Sequence, residues 1–251
     1  MLLSILITGI TSFKLQFYSQ DTIKTIILDP GHGGEDLGCL GNHAIEKEIA
    51  LQVTLKLGAY IKAYLPGINI VYTRTSDVYV SLAERAKIAN DSYGDLFLSV
   101  HCNSIGKQKK IKGAETYVFG ASSESSELAR RENKMIYLDE GQSELFALDP
   151  ETPAGNIKYQ AFQQAYLQES IKLANFILQQ IDTHTKRPVR QVKQDQFIVL
   201  KTTNMPSVLV EMGFVSNLEE EQYLLSEQGQ DEMAKSIYLG LQSYLDDLAN
   251  H

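Results

Sequence analysis

Apolar and polar positions alternate along this chain in blocks that spell out its elements. Ile23 to Leu28 (I-K-T-I-I-L) is a β-rich run ended by Asp29-Pro30-Gly31, after which the sequence turns into a glycine-rich loop. From Ala44 to Leu65 the apolar positions Ile45, Ile49, Val53, Leu57 and Ile61 recur at helical spacing until Pro66-Gly67 stops them. Ile68 to Tyr72 reads as a second strand. Ser81-Leu82-Ala83-Glu84 has the form of a capping box, which predicts a helix running towards Asn90, and Gly94-Asp95 then turns the chain into a third strand, Leu96 to Val100. Further on, Phe162 to Ile181 is a long amphipathic helix, Ser207 to Glu211 a last strand, and Leu218 to Leu225 and Met233 to Leu248 closing helices. No internal repeat or Gly/Ser linker interrupts the series.

This alternation predicts an α/β fold: a single domain with a mainly parallel twisted sheet and helices on both faces. Such sheets bind ligands outside the carboxyl ends of their strands. The first strand ends at Asp29 to His32, the third at His101 and the last at Glu211, so these polar groups are expected at one edge. The stretch at about 121–156 breaks the pattern with S-S-E-S-S-E-L-A-R-R-E-N and D-P-E-T-P-A-G, and reads as an insertion of the kind that forms lids or disordered loops.

Composition narrows the classes. With 251 residues, 43% hydrophobic and 22% charged, the chain can bury a core without disulfides or a structural metal. A net charge of −8, and no basic cluster beyond Lys107, Lys109, Lys110 and Lys112, leave nothing like a nucleic-acid-binding stripe. Leu2 to Ile10 is apolar but falls far short of the ~20 residues a bilayer span needs. Residues 1–20 are therefore expected to be an export signal, or else an apolar N-terminal segment, preceding a catalytic domain at 21–251. Cys39 and Cys102 are too few for a disulfide framework and are expected to be unpaired thiols.

Four residues carry candidate chemistry: His32 in D-P-G-H-G-G, Glu46 in A-I-E-K-E-I-A-L, His101 in S-V-H-C-N, and Glu211 in V-L-V-E-M-G-F. Two imidazoles and one carboxylate match a catalytic zinc that keeps a fourth position open, and a second glutamate off the metal can act as the base. Plainer roles exist for each. A lone histidine is commonly structural, Glu46 would suit the first turn of a helix, and Glu211 could simply end a buried strand. Spacing alone does not choose among these roles.

The ordered series D-P-G-H-G-G-x-D-x-G, E-K-E-I-A-L, T-R-T-S-D with L-A-E-R-A-K-I-A-N, L-S-V-H-C-N, G-A-E-T-Y and M-P-S-V-L-V-E-M-G-F-V-S-N resembles the zinc-dependent N-acetylmuramoyl-L-alanine amidases of the AmiC-like, cell-division class. The resemblance spans about Ile23 to Leu248. It implies a zinc-exopeptidase-like fold of amidase type, and hydrolysis in peptidoglycan of the amide between the lactyl group of N-acetylmuramic acid and the L-alanine of the stem peptide. One zinc ion would be held by His32, Glu46 and His101, with Glu211 as the catalytic glutamate. Asn103 and Arg85 sit at motif positions, with support of the fold or contact with substrate both open to them. His43 matches no family position and reads as a loop histidine.

Division-associated members of that family resemble this chain in an extra segment that covers the zinc until an activator moves it. Here the segment would be Leu128 to about Asn156, in which Glu132, Asp139, Glu140 and Glu144 are the acids able to reach the metal. The sequence does not select one of them, and a surface loop with solvated charges is the alternative. The resemblance further implies an exported, periplasmic or wall-associated monomer without a membrane span. It would act on peptidoglycan in daughter-cell separation or wall turnover, under an activator protein of LytM type. A zinc peptidase of other specificity and a non-catalytic wall-binding domain are the competing functions, and the latter is disfavoured because none of the four residues is missing.

Overall fold

The structure, a computed structural model, describes residues 23–106, 109–120, 125–137 and 153–250. The N-terminal segment 1–20 and the acids Asp139, Glu140 and Glu144 lie outside the described residues.

Strand β1 (Thr25–Pro30) leads through the glycine loop to helix α1 (Glu46–Tyr64), strand β2 (Asn69–Tyr72), helix α2 (Leu82–Asp91) and strand β3 (Leu96–Asn103). These follow the predicted order. The capping box is present, with Ser81 Oγ accepting from the Glu84 N–H at 3.2 Å. Next come β4 (Ala114–Phe119), the short helix α3 (Glu127–Glu132) with a 3-10 turn at Asn133–Tyr137, and α4 (Pro153–Thr185). The chain finishes with β5 (Val189–Asp195), α5 (Ile198–Lys201), β6 (Ser207–Phe214), α6 (Leu218–Leu225) and α7 (Glu227–Ala249).

The six strands pair in the order β2-β1-β3-β6-β4-β5. β2, β1, β3 and β6 run parallel, whereas β4 pairs antiparallel with β6 and parallel with β5. The sheet is therefore mixed, with a reversed pair at one side. Its reversal matters for the site: the starts of β4 and β5 lie at the same edge as the ends of β1, β3 and β6. Side chains alternate between the two faces, so each face builds its own core. One face buries Ile26, Leu28, Leu98 and Val210 beneath Ile49, Val53 and Leu57 of α1, Ile177 of α4 and Ile237 and Leu241 of α7. The other buries Ile27, Phe97, Tyr117 and Leu209 against Leu128 of α3 and Phe197 and Val199 beside and within α5.

Two helices are longer than their apolar patterns predict. α7 begins at Glu227 instead of Met233, because Ser226 accepts from the Gly229 N–H at 3.0 Å and starts the helix nearly two turns earlier. α4 likewise begins at Pro153, inside the stretch read as an insertion. The same stretch contains α3, capped by Ser126 Oγ on the Ala129 N–H at 3.1 Å.

Candidate metal centre and active site

The loop between β1 and α1 is built for close approach. At Gly31 a Cβ would lie 2.4 Å from the His101 ring, and at Gly38, where φ is +68°, it would lie 2.6 Å from both Glu46 Oε2 and the His32 ring. Only glycine lets these groups converge. His32 itself sits at φ +59°, a conformation that costs a non-glycine residue energy and must be held by its surroundings. Buried Arg85 supplies that hold: its Nη2 donates to the His32 carbonyl at 2.6 Å, and its Nη1 to the Pro30 carbonyl at 2.7 Å and to Asp29 Oδ1 at 2.6 Å. Arg74 does the same for the Pro30 and Gly31 carbonyls at 3.0 and 2.6 Å.

At the start of α1, Glu46 is fully buried, and its two oxygens accept from the Cys102 and Cys39 N–H groups at 2.8 and 2.7 Å. Glu46 Oε1 then stands 3.1 Å from both His32 Nε2 and His101 Nδ1. The far side of each imidazole is also held. His32 Nδ1 meets Asp36 Oδ2 at 2.8 Å, and His101 Nε2 meets Ser99 Oγ at 3.1 Å. Ser99 in turn donates to Asp29 at 2.6 Å. A partner on the second ring nitrogen is the usual support of a metal-bound histidine, since it fixes the ring and its tautomer.

Glu132, at the end of α3, completes the cluster. Its Oε2 is 3.1 Å from His32 Nε2 and 3.4 Å from His101 Nδ1. One donor atom from each of His32, Glu46, His101 and Glu132 lies within 4.8 Å of the other three. A tetrahedral zinc with ligands at 2.0–2.1 Å spaces its donors about 3.3 Å apart, close to the 3.1–3.4 Å between each histidine nitrogen and each carboxylate oxygen here. His32 Nε2 and Glu132 Oε2 are buried without a hydrogen bond, as expected of atoms that face a cation. The residues present therefore fit zinc.

Charge follows the same geometry. Burial opposes ionisation throughout, yet Glu46 and Glu132 hold His32 well above its ordinary pKa, and the carboxylates of Glu132 and Glu46 beside it lift His101 to about 9. Burial also works against the Glu132 charge, but His32 and His101 together outweigh it and pull that carboxyl down to about 2. In the metal-free protein the two histidines thus contribute stability below their unfolded pKa of about 6.5. That contribution is lost as pH rises through about 9, where His101 gives up its proton. Metal-stripped protein should accordingly show a melting temperature that falls between pH 6.5 and 9, whereas zinc-loaded protein, whose imidazoles are already neutral, should lack that fall.

Glu211 differs from the others. It is 0% exposed, and neither carboxylate oxygen has a hydrogen-bond partner. β6 places it directly opposite His101 of β3. Burial, reinforced by Glu46 and Glu132, pushes its pKa well above the usual carboxylate range.

The structure thus brings His32, Glu46 and His101 together with Glu211 beside them, and it adds one inserted acid, Glu132. His43 is exposed and outside the cluster, its N–H bonded to Glu221. Asn103 Oδ1 accepts from the Ser104 N–H at 2.7 Å and from Arg131 Nη2 at 3.4 Å, tying α3 to the end of β3. Cys39 and Cys102 are buried, unpaired thiols whose pKa is raised, chiefly by burial. Sequence reasoning gave no role to Asp36 or Ser99; the only available signals were the H-x-x-x-D spacing and the i−2 position of Ser99 on the strand of His101.

The profile of the family described as N-acetylmuramoyl-L-alanine amidase matches residues 26–243. The chain belongs to this family. It is 33% identical over 226 residues to the amidase AmiA of Salmonella typhimurium, covering 88% of this chain and 76% of that one. It is 30% identical over 234 residues to AmiC of Escherichia coli O6:H1, covering 91% of this chain and 54% of that one, so the amidase described here spans about half the length of this relative. Among solved structures, the CwlD amidase of Clostridioides difficile, in complex with the GerS lipoprotein, matches with a TM-score of 0.67 at 29% identity, covering 89% of this chain and 99% of that one. No described helix of this amidase is long and apolar enough to cross a membrane.

Proposed function

We propose that this amidase cleaves the bond between the lactyl group of N-acetylmuramic acid and the L-alanine of the peptidoglycan stem, using one zinc ion held by His32, Glu46 and His101. The observation that carries the proposal is the meeting of three supported donor atoms, 3.1 Å apart where they face Glu46, next to a buried carboxylate that has no partner of its own. Zinc there would supply Lewis acidity towards the scissile carbonyl and lower the pKa of water to about 7. Glu211 takes the proton from the attacking water and returns it to the departing nitrogen of L-alanine. Its raised proton affinity, caused chiefly by burial, suits a group that takes a proton from water and then returns it. Asp36 and Ser99 keep the two imidazoles aimed, and Arg85 keeps the His32 backbone in its left-handed conformation.

Glu132, the candidate inserted acid that lies among the described residues, has a position that supports autoinhibition. Its carboxylate occupies the direction from which substrate carbonyl and water would approach, and a displaced α3 would open it. Arg131 holds the closed arrangement through the Ser104 carbonyl at 2.7 Å and Glu132 Oε1 at 3.1 Å. An activator of LytM type would act by moving this helix. That a related amidase was solved in complex with a lipoprotein is in keeping with control by a partner. Export to the periplasm or wall, with work in daughter-cell separation or wall turnover, follows from the substrate.

Mass spectrometry of digested sacculi tests the reaction. The amidase should release intact stem peptides that begin with L-alanine, whereas shortened peptides, or no release after zinc loading and Glu132 removal, would refute it.

A further inference from the structure

The reversed strand pair carries a second charged group to the site edge. Glu115, near the start of β4, faces Glu211 in register, and Glu211 faces His101, so the three stand in one row on one face of the sheet. Glu115 is only 2% exposed. Its Oε1 accepts from Arg190 Nε and from Lys193 Nζ, the latter at 2.8 Å, and its Oε2 accepts from the Tyr117 hydroxyl at 2.6 Å. Two cations therefore face one carboxylate and leave a local charge of +1, on a chain whose net charge is −8.

One cation would neutralise Glu115. The second, and the way the first is presented, call for another explanation. The Arg190 side chain is 41% exposed, and among the described residues only its Nε makes a hydrogen bond. Its terminal nitrogens are thus free to face solvent, with the guanidinium plane fixed by Glu115 on one edge and by the Phe214 ring, 5.9 Å away, beside it. A guanidinium oriented in this way is a fork that pairs bidentately with a carboxylate. Lys193, with a 30% exposed side chain, adds a second positive head at the same carboxylate.

Distance identifies the carboxylate. Glu115 lies two strands from His101, which at about 4.8 Å per strand is roughly 10 Å. An extended peptide advances about 3.3–3.6 Å per residue, so roughly 10 Å reaches two to three residues beyond the scissile amide. We propose that Arg190, oriented by Glu115 and assisted by Lys193, binds the free carboxylate carried by the second residue of the stem peptide, and so makes this amidase selective for acidic over amidated stems. The proposal rests on the amidase reading above.

The test compares N-acetylmuramoyl-L-alanyl peptides that have either isoglutamate or isoglutamine as the second residue. The zinc-loaded full chain is assayed both with Glu132 in place and as Glu132→Ala. The acid should be preferred about 10-fold in kcat/KM, mainly through KM. Arg190→Gln should reduce that preference to about 1–3-fold, with the loss falling on kcat/KM for the acid, and Lys193→Gln should reduce it in the same direction. No preference in the parent protein, or a preference kept in Arg190→Gln, would overturn the subsite. A purely supporting role for Arg190 would instead lower both rates together, which also counts against it. Failure of the parent to cleave either peptide would refute the amidase reading itself.

Discussion

Glu211→Gln is expected to lower the turnover of purified sacculi by roughly 10²–10⁴-fold, the usual worth of a positioned acid–base group, while zinc content stays unchanged. The amide keeps the shape of the carboxylate and loses only its ability to take and return a proton. Glu211 is fully buried, and neither oxygen has a hydrogen-bond partner in the structure, so no fold-supporting contact disappears with the charge. The amide is as polar as the acid it replaces and loses no hydrogen bond, so the melting temperature should change little. A variant that binds zinc, folds, and still turns over within a few-fold of the parent would show that the proton is moved by another group.

Glu132→Ala is expected to act in the opposite direction, raising basal hydrolysis of dye-labelled sacculi by roughly 10–100-fold. The size follows from the contact removed: a charged carboxylate at 3.1–3.4 Å from two buried imidazoles. Interactions of this kind contribute about 1.5–3 kcal/mol, which is a factor of about 10–100 in the population of the open state. Zinc must remain bound, because His32, Glu46 and His101 are untouched. Unchanged basal activity at full zinc content would mean that Glu132 does not hold the site closed.

The parallel half of the sheet was legible because β1 and β3 are apolar runs that end in chemically distinctive loops, and because Ser81 announces α2. His32, His101 and Glu211 were legible for a related reason: each follows an apolar strand run, where a polar residue stands out, and Glu46 opens the apolar pattern of α1. The reversed pair was not. β5 has only one buried residue, Asp195, and reads V-R-Q-V-K-Q-D, so nothing in its pattern separates it from a loop. Without β5 the cationic pair at Glu115 could not be placed. Glu132 could be read only as one acid of four, since the choice depends on α3, whose cap at Ser126 and anchor through Arg131 set the direction of its last residue. Asp36 and Ser99 escaped notice because their roles depend on the left-handed backbone at His32 and on the ring orientation of His101, neither of which a residue pattern encodes.

Anomalous diffraction at the zinc edge from crystals of the zinc-loaded chain tests the central claim most directly. A single strong peak is expected within about 2.0–2.3 Å of His32 Nε2, His101 Nδ1 and a carboxylate oxygen of Glu46. Absence of a peak between these three side chains, or a metal bound elsewhere with His32 and His101 still paired only to the carboxylates of Glu46 and Glu132, would contradict it.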